Sequence, residues 1–488
     1  MNFNSLAFLI FLPVVLCGYW ILPFRFRWVL LLAASCYFYM YWNPKLIVLI
    51  FTTTLVSWLC ALAVERWPKW KKPFLIITLV ICLGILAYFK YANFFLENLY
   101  QMLAAFGFTG ERPILNVLLP VGISFYTFQT LSYVIDVYRG DFPAEKHFGY
   151  YALFVSYFPQ LVAGPIENPG TLLPQLRTEQ HRNPEDLRAG LRLLICGFFR
   201  KCAIADFLGI YVTRIFDQAE NASALAVFIG GALFCFQMYC DFAGYSEIAA
   251  GSARLMGIRL TKNFNQPYLS QSYGEFFRRW HISLNRWFTS YVYIPLGGNR
   301  KGIVRKILNT LIVFGLCGLW HGARWTYVLW GLYAAVFVCL ESLLAKPAGK
   351  AVSALHIDLE SPTVILLRRC YMFCIFVPAA ILFRADTVGQ AGLMIQQLFT
   401  GWGAGTATFA EAISLAGIDF AGLIRLLLTL AFLPILAKWG QYDLPPAKNN
   451  REAASRAASA AVAITLIALA WLSLLATEDA SAFAYFQF

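Results

Sequence analysis

Two histidines, His281 in RRWHISLNRW and His321 in GLWHGARWTYVLWG, lie 40 residues apart in a 488-residue chain that holds only five histidines. Imidazole is the side chain best suited to move a proton near neutral pH, and it is costly to keep at lipid depth unless it is paired. A site built around these two residues is therefore the first expectation. His321 follows LIVFGLCGL and breaks an apolar run with His-Gly-Ala-Arg, so it reads either as a hydrogen-bonded core residue or as a catalyst. His281 sits in an arginine-rich polar segment, where positioning or hydrogen bonding is easier to supply than proton transfer.

The elements that must hold these residues are membrane helices. With 59% hydrophobic and 13% charged residues and a mean hydropathy of +0.61, a chain of this length cannot be a soluble globular protein. It reads as an all-α, polytopic integral membrane protein in a lipid bilayer. Apolar runs that could cross about 30 Å of hydrocarbon as helix occur near 5–22, 27–44, 46–64, 74–96, 117–137, 186–212, 224–250, 308–345, 363–384, 420–437 and 457–476. The run at 308–345 is expected to be two helices broken at Trp320–Thr326. Shorter runs near 150–163, 283–296 and 390–400 read as re-entrant or interfacial pieces.

The first run lacks a basic leader and a small-residue cleavage site, so it is expected to be a retained span. The 12 cysteines show no metal-ligand spacing and read as small buried hydrophobes, with no metal site expected. The net charge of +13 lies in short connecting segments, where it reports orientation before any nucleic-acid partner, and none is expected. Arg25/Arg27, Arg66–Lys72 and the last loop with Lys438, Lys448, Arg451 and Arg456 should face the cytoplasm. Both chain ends then lie outside. No repeat or composition shift marks a soluble domain, so residues 1–488 are expected to form one membrane-embedded domain, with 477–488 as an extracytoplasmic tail.

Residues 262–306 depart most from simple spans, with eight Lys and Arg residues against the single acid Glu275. The density of aromatics there suits headgroup depth. A helix from Gln271 to Phe288 would set Glu275 with Arg279, and His281 with Asn285, at i,i+4. This segment reads as an amphipathic helix on anionic lipid, as a positive rim for an anionic donor such as a coenzyme A phosphate, or as both. Gln237 and Asp241 share a helix face, and Asp241 and Glu247 read as structural carboxylates partnered by nearby basic residues. LPVG (119–122), VAGP (162–165) and IPLGG (294–298) should break helices where backbone lines a cavity or packs in protein. No nucleotide loop, serine elbow or zinc pattern occurs, which leaves group transfer in the bilayer or transport as open classes.

LPVGISFYTFQTLSYVIDVYRG (119–140), YFPQLVAGPIE (157–167), QMYCDFAGYSEIAAGSARLMG (237–257), the run 263–300 and GLWHGARWTYVLWG (318–331) resemble the membrane-bound O-acyltransferase family. Within it the chain looks like the bacterial branch with the alginate and peptidoglycan O-acetylation membrane subunits, and more distantly the teichoic acid D-alanyl transferases. The resemblance implies a helical ring with re-entrant and interfacial helices around a thin central tunnel. It maps the family's near-invariant histidine onto His321 and its second histidine onto His281, with Arg279, Asn285, Trp320 and Arg324 as candidate substrate-binding positions. His321 would take a proton from an acceptor hydroxyl that attacks the thioester of acetyl-CoA, the expected acyl donor.

The terminal SAFAYFQF resembles that branch's Phe-x-Tyr-x-x-Phe ending, with Phe483, Tyr485 and Phe488 at the matching positions and Tyr485 as a candidate acyl relay. An aromatic belt anchoring the last span is the alternative. The expected function is acetyl transfer across the bacterial cytoplasmic (inner) membrane to an envelope polysaccharide, with an extracytoplasmic SGNH-type O-acetyltransferase subunit as partner. D-alanylation of teichoic acid and non-covalent transport of acetyl groups or glycan are the alternatives.

Overall fold

The computed structural model of the chain describes residues 1–402 and 409–440. The expected span at 457–476 and the tail with Phe483, Tyr485 and Phe488 lie outside the described residues. Among the described residues every regular element is helical. They fall into two compact units, one of Met1–Leu194 with Ile248–Thr261 and the other of Ile195–Glu247 with the chain from Lys262 onward.

The first unit holds α1 (Leu6–Ile21), α2 (Phe24–Met40), α3 (Ile47–Arg66), α4 (Lys71–Leu86), α5 (Ala92–Ala105), α6 (Ile123–Arg139), α7 (Phe148–Ser156), α8 (Pro169–Arg177) and most of α9 (Pro184–Phe198). Several polar side chains inside it are tied to other protein groups, which offsets the cost of burying them. Ser57 Oγ and Tyr151 OH are 2.7 Å apart, and Gln129 Nε2 donates to Phe154 O at 2.7 Å. Glu167 accepts from the Thr261 amide and hydroxyl at 2.5 and 2.9 Å. The expected LPVG break is a turn in which Gly122 takes φ +76°, and a Cβ there would lie 2.7 Å from Leu161 O.

The second unit holds α10 (Asp206–Asp217), most of α11 (Ala224–Arg254), α12 (Tyr273–Arg279), α13 (Ile282–Phe288), α14 (Gly302–His321), α15 (Trp325–Ala354), α16 (Pro362–Arg384), α17 (Val388–Thr400), α18 (Phe409–Ala416) and α19 (Phe420–Trp439). The break expected within 308–345 is real, since α14 stops at His321 and α15 starts at Trp325. Gly322 between them is extended at φ −168°, and a Cβ on it would collide with the Tyr327 ring. The two helices then pack backbone to backbone. A Cβ on Gly318 would strike Tyr327 O, and one on Gly331 would strike Phe314 O.

Seven helices among the described residues are long and apolar enough to cross a membrane. The runs expected at 5–22, 27–44 and 117–137 form helices of 16, 17 and 17 residues, a little short of that length. The run at 186–212 is not one apolar span either. It is α9 and α10 joined by a π-helical turn, Phe199–Ala205, that carries Arg200 and Lys201. Their partners are the expected carboxylates. Arg200 pairs with Glu247 at 2.8 Å, and Lys201 with Asp241 at 2.9 Å and Asp206 at 2.7 Å. The cysteines are less uniform than expected, because Cys17, Cys370 and Cys374 are exposed.

The close α14–α15 crossing sets where His321 lies, since Gly318 is one turn before it. Gly331→Val should force the helices apart and cost about 1–3 kcal/mol of overpacking strain. A lower melting temperature of the detergent-solubilised chain is the expected outcome, and an unchanged one would count against this crossing.

Candidate active site

The single helix expected over 271–288 is instead two seven-residue helices, α12 and α13, broken at Trp280 and His281. α12 starts cleanly: Ser272 Oγ accepts from the Glu275 amide at 3.1 Å, and Glu275 Oε2 accepts from the Gln271 amide at 2.9 Å. Glu341 of α15 accepts two further amides of the same helix end, Tyr273 at 2.5 Å and Gly274 at 3.0 Å. The helix ends where Trp280 turns extended, φ −104° and ψ 129°, and His281 after it adopts a left-handed conformation, φ 44° and ψ 54°. For a residue with a Cβ this costs about 1–2 kcal/mol, so neighbouring groups must hold it there.

Asn263 supplies most of that hold. Its carbonyl accepts from the Ile282 amide at 2.9 Å, and the Asn265 amide donates to Arg279 O at 2.9 Å, so residues 263–265 run as a strap beside the break. The Asn263 side-chain Oδ1 accepts from the Ser283 amide at 3.2 Å and the Ser283 hydroxyl at 3.0 Å, and lies 3.3 Å from His281 Nδ1. Asn263 Nδ2 donates to Ser246 Oγ of α11 at 3.4 Å. Burial is the largest influence on the His281 ring and pushes its pKa from 6.5 down to about 3, so the imidazole is neutral.

His321 ends α14 with 7% of its surface exposed. Trp320 stands between the two histidines, its ring edge-on to His281 at 5.9 Å and to His321 at 5.1 Å. Trp330 of α15 and Phe383 of α16 meet the His321 ring at 5.2 Å each. Both histidines line one pocket of about 410 Å³, walled by Phe277, Trp280, Leu284, Phe288, Phe314 and Trp330 among others. A second space of about 340 Å³ also reaches His321 and is closed by Met238, Phe242, Phe376 and Phe383. Aromatic walls around two imidazoles disfavour a charged ring and limit the access of competing water.

The other expected site residues divide. Asn285 lines the pocket, but its Nδ2 donates to Phe277 O at 2.7 Å, so it bridges the α12–α13 break rather than pairing with the His281 side chain. Arg279 forms the expected ion pair with Glu275 at 2.7 Å and is not among the pocket's lining residues. Arg324 pairs with Asp386 at 3.2 Å, and its half-exposed side chain does not line the pocket. Tyr485 lies outside the described residues.

Sequence reasoning missed Asn263, Trp280, Trp330 and Phe383. The aromatics of 273–288 were expected at headgroup depth. In the structure Phe276, Trp280 and Phe288 are buried in protein, because the break folds both short helices inward. The signal was present in the spacing Phe276, Phe277, Trp280, which is one apolar helix face. Among the described residues no group of three or more His, Cys, Asp or Glu side chains gathers as a metal site.

Comparison with known proteins gives this arrangement its context. The model of the membrane-bound O-acyltransferase family matches residues 144–347, which include both histidines and the strap. A probable alginate O-acetylase of Pseudomonas putida is 37% identical over 437 residues, covering 88% of this chain and 87% of the relative. One from Azotobacter vinelandii is 33% identical over 521 aligned positions, covering the whole of both. A peptidoglycan O-acetyltransferase of Helicobacter pylori is 35% identical over 384 residues, with 71% of this chain and 72% of the relative aligned. Long identity to several O-acyltransferases, together with seven helices of membrane-spanning length, makes this chain a multi-pass membrane enzyme belonging to the membrane-bound O-acyltransferase family.

Proposed function

We propose that this chain is the membrane subunit of a cell-envelope polysaccharide O-acetylation system, residing in the bacterial cytoplasmic membrane and working as one membrane-embedded domain. It takes acetyl groups from cytoplasmic acetyl-CoA and delivers them outside, where a separate SGNH-type transferase sets them on alginate, peptidoglycan or a similar glycan. The observation that carries this is the single apolar pocket lined by both His281 and His321. The names of the similar proteins, alginate O-acetylases and a peptidoglycan O-acetyltransferase, support the acetyl group and the polysaccharide class.

In the proposed reaction His321 is the general base. Its neutral imidazole takes the proton of an acceptor hydroxyl as that oxygen attacks the acetyl carbonyl carbon. The new oxygen–carbon bond forms, the carbon–sulfur bond breaks, and the departing coenzyme A thiolate recovers the proton from the imidazolium. The aromatic walls keep water from taking the acetyl group first. His281, neutral by burial, serves as its partner in the pocket. Among the exposed basic residues near the segment that leads into α14, Arg286, Arg300 and Lys301 suit the phosphates of the donor.

The acceptor in this proposal is Tyr485, on an extracytoplasmic tail. A phenol of pKa about 10 is close enough to a thiol of about 8.5 that an acetyl-tyrosine ester keeps much of the thioester's transfer potential. An ordinary alcohol ester would lose more, which is why a tyrosine suits a relay.

His321→Ala should lower acetyl transfer by about 10²–10⁴-fold, the usual worth of a general base, as read by glycan acetylation in cells expressing the variant. Retention of full acetylation would sink the assignment. After incubation with acetyl-CoA, intact-mass analysis of the C-terminal peptide should find one acetyl group on Tyr485, absent in Tyr485→Phe. An unmodified peptide, even without the partner transferase, would remove the relay and leave His321 in place. A chain that ignores acetyl-CoA but turns over a carrier-protein D-alanyl thioester would reassign the donor.

A further inference from the structure

His281 is bound to the rest of the site through one side-chain oxygen, and the identity of that atom constrains the ring. The Ser283 amide can only donate, so the Asn263 atom it meets at 3.2 Å must be the amide oxygen and not the nitrogen. Asn263 Nδ2 then faces Ser246 Oγ at 3.4 Å, a hydroxyl able to accept from it. An amide oxygen accepts and never donates. The ring nitrogen 3.3 Å from it, His281 Nδ1, must therefore carry the hydrogen, because two facing lone pairs would repel.

We propose that Asn263 is a positioning residue for acyl transfer, holding His281 as the Nδ1–H tautomer so that the ring's basic lone pair stays on Nε2 in the pocket shared with His321. This rests on the reading of that pocket as the acyl-transfer site. Asn263 is completely buried and His281 is 2% exposed, so no solvent exchange competes with the bond. The same residue clamps the backbone just after the ring, through Ile282 N to Asn263 O at 2.9 Å and Ser283 N to Oδ1. The backbone bonds hold the His281 Cβ in place and the Nδ1 contact orients the ring from it, so one residue bears both on where the ring points and on which nitrogen is basic. A neutral ring with a fixed tautomer is a hydrogen-bond acceptor, not a cation, for whatever group enters beside it.

Besides this oxygen and the ring's hydrogen bond with its own backbone, the groups that face His281 come from α11, α12, α13 and α14. α11 presents Phe242, edge-on at 4.7 Å, and Ser246, which is bonded to Asn263. α14 presents the titratable His321 and Cys317 across the pocket, together with Trp320. α12 and α13 present Phe277, Trp280, Leu284, Asn285 and Phe288. The charged residues of the adjoining segments are turned to other partners, Arg279 to Glu275 at 2.7 Å and Lys262 to Asn265 at 2.9 Å.

The test uses the full-length chain in lipid nanodiscs, with nitrogen-15 histidine labelling for the tautomer and release of coenzyme A from acetyl-CoA for turnover. With five histidines in the chain, the His281 signals are identified by their loss in His281→Gln. Nδ1 is expected at a protonated, pyrrole-type shift and Nε2 at a pyridine-type shift; the opposite assignment would overturn the proposal without touching the role of His321. Asn263→Asp keeps the acceptor and the Ser283 bonds but sets a carboxylate against Nδ1–H, which favours the imidazolium. Its turnover should gain an acid limb near neutral pH, falling about tenfold per pH unit below the raised pKa, where the parent chain shows no limb from His281. Asn263→Leu removes the acceptor and should lower kcat roughly 10- to 100-fold at every pH, with little change in KM. An unshifted Asn263→Asp profile, or a fully active Asn263→Leu, would refute the positioning role. Should Asn263→Leu fail to fold, the Asn263→Asp profile and the tautomer shifts decide the matter alone. If His321→Ala also keeps its turnover, the pocket is not the transfer site, a result separable from the tautomer because the shifts are read without activity.

Discussion

Backbone amides and carbonyls cannot be left bare in a medium without water, and that constraint governs the second unit of this protein. A helix break buried in apolar surroundings exposes several such groups at each end. The candidate site is built from two breaks, one at His281 and one after His321, and each is closed by protein. At the first, Glu341 and Ser272 take the amides at the start of α12, Asn285 takes the Phe277 carbonyl, and Asn263 takes the amides that follow His281. At the second, Gly322 lets the chain turn against Tyr327 and re-enter as α15 within three residues. The breaks matter because an unbroken helix presents its side chains sideways, whereas a helix end can deliver an imidazole into a cavity.

Part of this was legible in the sequence for stated reasons. Proline and glycine disclose their breaks directly, so LPVG, VAGP, IPLGG and the glycine after His321 all fall where helices end or turn. The Glu275–Arg279 pair follows from spacing alone. The need of Asp241 and Glu247 for basic partners follows from the cost of burying charge, although spacing could not name Arg200 and Lys201, which reach them from a π-helical turn.

The break at His281 was not legible, because nothing in RRWHISLN stops a helix locally. Its cause is tertiary: a strap 18 residues upstream offers Asn263 as a competing acceptor for amides that would otherwise continue the helix. The same cause misdirected the aromatic residues. Phe276, Trp280 and Phe288 look like an interfacial belt if the segment is one amphipathic helix. With the segment broken, Trp280 and Phe288 line the pocket, and Phe276 is buried against Phe376. Membership of the family was legible because long ordered motifs carry it, and so was the partner of Arg279, whereas that of Arg324, Asp386, lies 62 residues away and is set by geometry. Both are drawn into ion pairs away from the pocket lining.

The chemistry of the walls also bears on what can pass. A glycan carries a hydroxyl on nearly every carbon, and each would need a partner on entering a space lined by Phe277, Trp280, Leu284, Phe288, Phe314 and Trp330. The pocket offers few polar groups beyond the two imidazoles and Asn285. An acetyl group needs no more than that. It has a methyl for the aromatic surface and one carbonyl oxygen for a donor. Carrying the acetyl group alone, as an ester that changes hands between a thiol and a hydroxyl, avoids bringing either coenzyme A or polysaccharide through hydrocarbon. On physical grounds this favours group transfer over non-covalent transport of a sugar, because the walls penalise every hydroxyl of the one cargo and almost nothing of the other.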